Sequence, residues 1–394
     1  MPLGYCLDIF GFDDTDKGDI FGFDDNDEGF DITTLCEGLI HLKLLIVNPG
    51  STSTKVAIFE DTVPIMEKTI RHQLSELASF EKITDQYDFR KKIVMDNVQE
   101  SGINIEELDA VVGMGGLLKP ISGGTYIVNE AMVNHLRLGV QGLHASNLGG
   151  LIAHEIARHI GKPAYIVDPV VVDEYDDISR ISGNPLIKRR SIFHALNQKA
   201  IARQYCQEVG KGYFNVNLVV AHMGGGISIG MHSMGRVIDS NNALDGDGPF
   251  TPERSGGLPV GDLVDLCYSG KYTQKEVRAA ITGKGGMVAY FGSNNMMEIE
   301  ERAKTEPDVQ LTIDAMIYQI SKEIAAMSTA VCGKVDAILL TGGLAYWDYL
   351  VKGIAKRVGF IADVRAYPGE NELSALALGA LRVLRGEEEA KVYV

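Results

Sequence analysis

The sequence predicts an α/β fold of two lobes, each built on a mixed sheet. Three observations carry this. Short apolar runs alternate with helix-length amphipathic stretches, the pattern of sheets covered by helices. Two of the apolar runs enter glycine turns and leave as strands. One is Asn48-Pro49-Gly50-Ser51-Thr52-Ser53-Thr54-Lys55, between Leu44–Val47 and Val56–Phe59; the other is His222-Met223-Gly224-Gly225-Gly226-Ile227-Ser228, between Leu218–Ala221 and a strand expected from Ile229 through Ile238. A third run, Ala337–Leu340, ends in Thr341-Gly342-Gly343. The two strand–turn–strand units suggest a duplicated lobe. Glycine turns let backbone amides approach an anion, and hydroxyls with Lys55 add donors, so the pair reads as the two halves of a phosphate clamp.

The elements follow in order. Strands 44–48 and 55–60 form the first hairpin, and a polar helical stretch covers about 75–101. Leu108–Val112 is a short buried strand ending at Gly113-Met114-Gly115-Gly116. Ser146 or Asn147 is the expected cap of a helix running to Ile160. Ala164–Val167 is a strand that delivers Asp168 at its end. His194 starts a helix reaching about Val209, and the second hairpin spans 216–239. Thr273-Gln274-Lys275-Glu276 is a capping-box signal. One long helix is expected over 309–331, then strand 337–341, helix 346–358, strand 363–367 and a terminal helix 372–385.

Composition bounds the function. The chain of 394 residues is 45% hydrophobic and has no apolar run as long as a membrane span. Its five cysteines form no C-x-x-C pair, which argues against a disulfide framework or zinc site and for a reducing, cytoplasmic setting. The net charge of −16 is concentrated in residues 1–42, which hold eleven acids and one base, Lys17. The rest is mildly acidic, so nucleic acid and membrane are not expected partners. Residues 1–42 read as a flexible acidic appendage containing a near-repeat, Asp8–Gly18 and Asp19–Gly29. Tested as a calcium loop, the repeat puts Thr15 and Lys17 at ligand positions and no glutamate at the twelfth. It also lacks the basic start of a signal peptide.

Several motifs fail. There is no G-x-x-x-x-G-K-[ST], no G-x-G-x-x-G and no eukaryotic kinase set. His154-Glu155 is followed by His159, one residue beyond the zinc-binding spacing. Gly226-Ile227-Ser228-Ile229-Gly230 matches a hydrolase nucleophile elbow, but that turn leads into a helix and needs a later histidine partner. Here a strand follows, and the sole later histidine is His232.

The ordered set of remaining motifs resembles the acetokinase family, in its butyrate kinase branch, within the acetate and sugar kinase, Hsc70 and actin superfamily. The residues that carry the resemblance are Asn48–Lys55, His144-Ala145-Ser146-Asn147-Leu148-Gly149, Val167-Asp168-Pro169, Ser191–Lys199, Ala221–Gly226, Asp245–Gly256, Leu340–Leu344, Pro368-Gly369 and Asn371-Glu372. They run collinearly from residue 43 to about 388.

The resemblance implies a two-lobed, ribonuclease H-like fold of the actin, sugar kinase and acetate kinase type, with a five-stranded sheet in each lobe. Residues 43–190 with 370–394 would form the N-terminal lobe, and 191–369 the C-terminal lobe with most nucleotide contacts. The implied reaction is reversible phosphoryl transfer between ATP and a short-chain carboxylate in the interlobe cleft, with Mg²⁺ and a homo-oligomeric assembly. A carboxylate is ionised at neutral pH, so this nucleophile needs cations and neutral donors around it rather than a base. Arg254 would grip the carboxylate or the migrating phosphoryl group. His194, His222 and Asp168 would join it in catalysis, and His144 would lie on the acyl side. Asn48, Ser51, Ser53, Lys55, Gly224, Gly225, Gly226, Thr341, Gly342 and Gly343 would bind nucleotide and phosphates. Glu372, Asp168 and Asn48 would hold Mg²⁺, mostly through water. Gly285-Gly286 is a candidate adenine wall.

One position departs from the family. Where the family has Arg-Gly-Gly, this chain has Met114-Gly115-Gly116, and methionine supplies no charge. Alternatives therefore stand beside the butanoate reading: a branched-chain, acetate or propionate kinase, or an ATP-binding protein with crippled transfer. Lys119 is the nearest cation in sequence to compensate.

Overall fold

Two sheets organise the chain, which a computed structural model describes over residues 41–394. The acidic repeat and appendage expected over residues 1–42 lie outside the described residues, save positions 41 and 42. Residues Leu42–Val394 form one compact unit that contains both sheets.

The strands in chain order are β1 (Lys43–Pro49), β2 (Ser53–Glu60), β3 (Val63–Arg71), β4 (Ala110–Gly113), β5 (Thr125–Ile127), β6 (Ala164–Val167), β7 (Asn217–Met223), β8 (Ile227–Ser233), β9 (Arg236–Ser240), β10 (Ala337–Gly342), β11 (Asp363–Pro368) and β12 (Lys391–Val392). The first sheet has the order β12-β5-β6-β4-β1-β2-β3, and the second β11-β10-β7-β8-β9. Within the first, β3-β2-β1-β4-β6 repeats the order β9-β8-β7-β10-β11 of the second. The senses repeat too: β1 and β7 pair antiparallel with β2 and β8, and parallel with β4 and β10. The expected duplication is therefore present. The first sheet differs from the expected five strands by carrying β5 and β12 on its far edge.

Two more strands than the hairpin reading allowed come from local chemistry. β3 follows Asp61, whose φ of 51° turns the chain, and it is an exposed edge strand. Pro64 weakens its strand signal, and it pairs with Phe59 at a register shift, where edge strands tolerate proline. The strand expected through Ile238 breaks at Met234-Gly235, both at positive φ (48° and 84°). A two-residue turn of that handedness matches strand twist and closes β8 onto β9.

The helices that position the site are α1 (Tyr87–Glu100), α2 (Asn147–His159), α3 (Ala195–Glu208), α4 (Pro307–Ser328), α5 (Asp348–Val358) and α6 (Glu372–Leu384). Alternation along β1 sends Leu45 and Val47 to one face and Leu44 and Ile46 to the other. The first face packs on Val94 and Val98 of α1 and Leu148, Ile152 and Ile156 of α2. The second packs on Leu373, Leu376, Ala380 and Leu381 of α6. β7 does the same: Leu218 and Val220 meet Ala202, Tyr205 and Cys206 of α3, while Val219 and Ala221 meet α4 and α5. Truncating such a fully buried leucine or isoleucine to alanine costs about 2–5 kcal/mol.

Helix α2 begins at Asn147, but neither expected cap works as one. The Ser146 hydroxyl is bonded to His144 Nδ1 at 2.9 Å, and Asn147 Oδ1 accepts from the Leu117 amide at 2.9 Å. The capping box at helix Gln274–Ile281 is formed as expected, with Thr273 and Glu276 exchanging side-chain-to-amide bonds. Among the described residues no helix is long and apolar enough to cross a membrane.

Candidate active site

The turn between β1 and β2 is held from beneath by a side chain without an earlier assigned role. Arg90 on α1 is wholly buried. Its Nη1 donates to Ser53 O at 2.8 Å and Thr54 Oγ1 at 3.1 Å, and its Nη2 donates to Ser51 O at 3.3 Å. The Gly50 amide donates to Ser53 O at 2.8 Å, which closes the turn. Ser51 and Thr52 are exposed at its tip. Desolvation and the Arg90 charge hold the His144 imidazole below its ordinary pKa. His144 Nδ1 accepts from the Ser146 amide at 3.2 Å, which fits that neutral ring.

The turn between β7 and β8 is framed by charged side chains. A β-carbon at Gly226 would lie 1.9 Å from Arg254 Nη1, so only glycine admits the guanidinium here. Arg254 is drawn in by its own loop: its amide donates to Thr251 Oγ1 at 3.0 Å, and that hydroxyl donates to Gly225 O at 2.7 Å. Arg254 Nη1 also donates to Ala243 O. Burial lowers the Arg254 pKa from its usual value, with Glu253 opposing. Gly285 and Gly286, considered as an adenine wall, press on the backbone of this loop: β-carbons there would meet Ser255 N at 2.4 Å and Thr251 O at 1.7 Å.

His194 and His222 come together. Their rings stack with centroids 3.9 Å apart and planes 17° from parallel. His194 Nδ1 is 2.8 Å from Ser228 Oγ, and His222 Nδ1 is 2.8 Å from Asn197 Oδ1. Burial, with the His222 and Arg254 charges, pushes the His194 pKa well below 6.5. His222 Nε2 lies 3.1 Å from Glu370 Oε1, and that hydrogen bond lowers the Glu370 pKa from its ordinary value, with burial opposing.

The segment after β11 links the two turns. Gly369 pairs with Gly342 through two backbone bonds, of 3.0 and 3.1 Å, and Thr341 Oγ1 donates to Gly369 O at 3.2 Å. Gly342 itself has φ 90°, and a β-carbon there would sit 2.4 Å from Met223 O; its glycine is required by the approach of β7. Gly343 faces open space. Beyond Gly369, Glu370 reaches His222 and Glu372 reaches the first turn. Glu372 Oε2 accepts from Asn48 Nδ2 at 2.8 Å and Lys55 Nζ at 3.0 Å. Asn371 caps α6 through a 3.4 Å bond from the Ser374 amide.

Asp168 keeps different company. It is buried, has φ 38°, and accepts from the Gly124 amide at 2.7 Å. Burial raises its pKa, opposed by Lys199 and Arg203 on α3. Lys199 pairs in turn with buried Glu174 at 2.9 Å. Its electrostatic partners thus lie on α3 and at Glu174 rather than at Glu372. Met114 stands at the end of β4, partly buried against the apolar side chains that meet α6, and its amide donates to Val47 O at 2.8 Å.

Among the side chains of this assembly, Arg90, Asn197, Ser228 and Glu370 had no role assigned from the sequence. Asn197 lies three residues after His194, one helical turn on, and Ser228 two residues after Gly226, on the same face of its strand. Those spacings were the available signals.

Comparison with known proteins identifies the family and the fold. Residues 178–355 match the model of the acetokinase family. The chain is 55% identical to butyrate kinase 2 of Clostridium acetobutylicum over 352 residues, 89% of this chain and 99% of that protein. It is 53% identical to a probable butyrate kinase of Clostridium botulinum over the same shares of each chain. In fold it is similar to Porphyromonas gingivalis acetate kinase, with a TM-score of 0.71 at 18% identity, covering 87% of this chain and 100% of that one. A propionate kinase from Francisella tularensis gives 0.66 at 16%, covering 86% and 98%. The fold is thus that of the acetate and propionate kinases, and the chain belongs to the acetokinase family, alongside the clostridial butyrate kinases.

Proposed function

We propose that this chain is an ATP-dependent carboxylate kinase that converts butanoate and ATP to butanoyl phosphate and ADP. The observation that carries the reading is the span Gly369–Glu372, which ties the β7–β8 turn through Glu370–His222 and the β1–β2 turn through Glu372–Lys55. In this reading both turns face one cleft. The lobes of this reading are residues 43–190 with 370–394, and 191–369.

The chemistry follows from the groups present. A butanoate oxygen attacks the γ-phosphorus in line, an O–P bond forms, and the bond to the β-phosphate oxygen breaks. The nucleophile is already ionised, so no proton need be removed. Arg254, a fork of donors in a partly dehydrated loop, neutralises charge on the carboxylate and the migrating group. His194 donates to the equatorial oxygens, His222 joins it once its Nε2 exchanges Glu370 for the phosphoryl group, and His144 borders the acyl side. The Gly50 and Gly224 amides close their own turns, so the amides at 51–52 and 225–226, with Ser51, Ser53 and Lys55, are the donors for phosphates. Thr341, Gly342 and Gly343 border the nucleoside.

Magnesium belongs to this reading as a partner of the nucleotide. Among the described residues there is no cluster of three or more acidic, histidine or cysteine ligands. Glu372, already bonded to Asn48, suits an ion that arrives with phosphates and water. Bound there, it would neutralise phosphate charge. Asp168 would act on that side through its buried network.

Two methylenes separate acetate from butanoate, worth about 0.8 kcal/mol each, so discrimination between chain lengths is modest and branched acids are included. The identity of 53–56% to butyrate kinases favours transfer over nucleotide binding without turnover. A cytoplasmic, homo-oligomeric enzyme completes the reading. Its test is acyl hydroxamate formation across linear and branched carboxylates, with and without Mg²⁺. Highest kcat/KM at four carbons supports it; activity confined to acetate redirects it.

A further inference from the structure

The segment Gly226-Ile227-Ser228-Ile229-Gly230, which only imitates a hydrolase motif, has a structural logic of its own. Alternate residues of a strand share a face. On that face Gly226 admits Arg254, Ser228 meets His194, and Gly230 admits Gln198. A β-carbon at Gly230 would lie 2.4 Å from Gln198 Oε1.

The hydrogen bonds around Ser228 are fully determined. Gln198 Nε2 donates to the backbone oxygen of Ser228 at 3.0 Å, which fixes the nitrogen end of its amide. The same nitrogen donates to Ser228 Oγ at 2.8 Å. The His194 amide also donates to Ser228 Oγ, at 3.2 Å. A serine oxygen has two lone pairs and one proton. Both lone pairs are filled by N–H groups, so the proton goes to the remaining neighbour, His194 Nδ1 at 2.8 Å. Nδ1 is therefore an acceptor, and the ring proton of His194 is on Nε2.

The far end of the chain of bonds agrees. Gln198 Oε1 accepts from His232 Nε2 at 3.1 Å, and His232 Nδ1 accepts from the Tyr213 hydroxyl at 2.8 Å. Gln198 and His232 are both wholly buried. Burial beside Lys199 keeps His232 neutral, as this direction of bonding requires.

We propose that Ser228 and Gln198 are positioning residues that lock His194 as its neutral Nε2–H tautomer, so that the ring offers the transferring phosphoryl group a donor and never a lone pair. This rests on the carboxylate kinase reading for its consequence, but its geometry is independent of it. A lone pair aimed at phosphoryl oxygens would repel them, so the wrong tautomer works against transfer.

The test joins a spectroscopic and a kinetic readout on the full chain. Long-range ¹H–¹⁵N spectra of ¹⁵N-histidine-labelled protein should show the Nε2–H pattern for His194. In Ser228→Ala the pattern should change to a mixture, and kcat with butanoate should fall by about 10–100-fold, the scale on which loss of the partner that orients a metal-bound histidine acts, while KM for ATP stays within about twofold. Gln198→Met reopens one lone pair of Ser228, so a partial mixture and a smaller fall are expected. Thermal melting confirms that both variants are folded. An Nδ1–H ring in the unaltered protein overturns the proposal. So does Ser228→Ala with an unchanged tautomer or an unchanged kcat beside an active parent. A parent that phosphorylates no carboxylate refutes the kinase reading instead, and the spectra alone then decide the tautomer.

Discussion

His194 and His222 stack face to face with their ring centres 3.9 Å apart, although 28 positions separate them in the chain. The contact joins the start of α3 to the end of β7. Each ring is steered by its Nδ1, His194 by Ser228 and His222 by Asn197. Burial is the main reason the His194 pKa is depressed, and the adjacent His222 imidazole and the Arg254 guanidinium add to it by resisting a further positive charge. A neutral donor next to a fixed cation suits a phosphoryl group whose charge is already distributed over three oxygens.

Gly226→Ala should impair Arg254 without unfolding the protein. The new methyl would fall 1.9 Å from Nη1, and the guanidinium is the part that gives way. A kcat loss of about 100-fold is expected, the scale of one lost charge-stabilising group. Since the methyl acts through Arg254, adding Gly226→Ala to Arg254→Ala should cost little more than Arg254→Ala alone. Steady-state kinetics of the three variants check this.

Glu372→Gln should raise the Mg²⁺ concentration for half-maximal rate by about tenfold, with a smaller effect on saturated kcat. The amide keeps the size of the side chain but removes the charge beside Lys55 and Asn48. Titration of Mg²⁺ at fixed ATP measures it. An unchanged Mg²⁺ requirement contradicts the assignment of this carboxylate.

Arg90→Met should both destabilise the fold and loosen the first turn. It removes one donor each from Ser53 O and Thr54 Oγ1, takes the Arg90 Nε donor from buried Gln86 Oε1, and deletes a wholly buried cation. A loss of about 3 kcal/mol in urea unfolding is expected. KM for ATP should rise as well, because Ser51 and Ser53 lose their support.

Glu323 on α4 makes the pH dependence testable. Burial, reinforced by Asp247 and Asp239, raises its pKa from 4.5 to about 7. The folded state therefore holds a proton that the unfolded state has lost. Its contribution to stability is full below pH 4.5 and disappears as pH rises through about 7. Glu323→Gln should gain about 1–3 kcal/mol over the parent at pH 8 and little at pH 4.5. Denaturant midpoints at several pH values decide it.

Much of the fold was legible because the apolar pattern states it directly. Leu44–Val47, Leu218–Ala221 and Ala337–Leu340 are strands buried on both faces, and their glycine turns mark where each ends. β3 was hidden by Pro64 and by an exposed edge that carries little hydrophobic signal. The break at Met234-Gly235 was hidden because methionine seldom takes a positive φ. Within the site, His194, His222 and Arg254 were named from motifs and do meet. Their supports were not visible: Arg90 holds a turn 37 residues away, and Glu370 meets His222 across a sheet. Such pairings depend on the tertiary fold, and short-range spacing does not encode them. Asp168, expected beside Glu372 and Asn48 around magnesium, illustrates the same limit, since its neighbours Lys199 and Arg203 come from a helix that begins 27 positions later.

The most direct measurement is butanoate-dependent acyl hydroxamate formation by the purified chain with ATP and Mg²⁺, run beside Arg254→Ala. Rapid product from the parent, reduced at least about 100-fold in the variant while calorimetry still shows ATP bound, is the predicted result. ATP binding with no acyl phosphate at any carboxylate length, or equal rates in the two proteins, would contradict it.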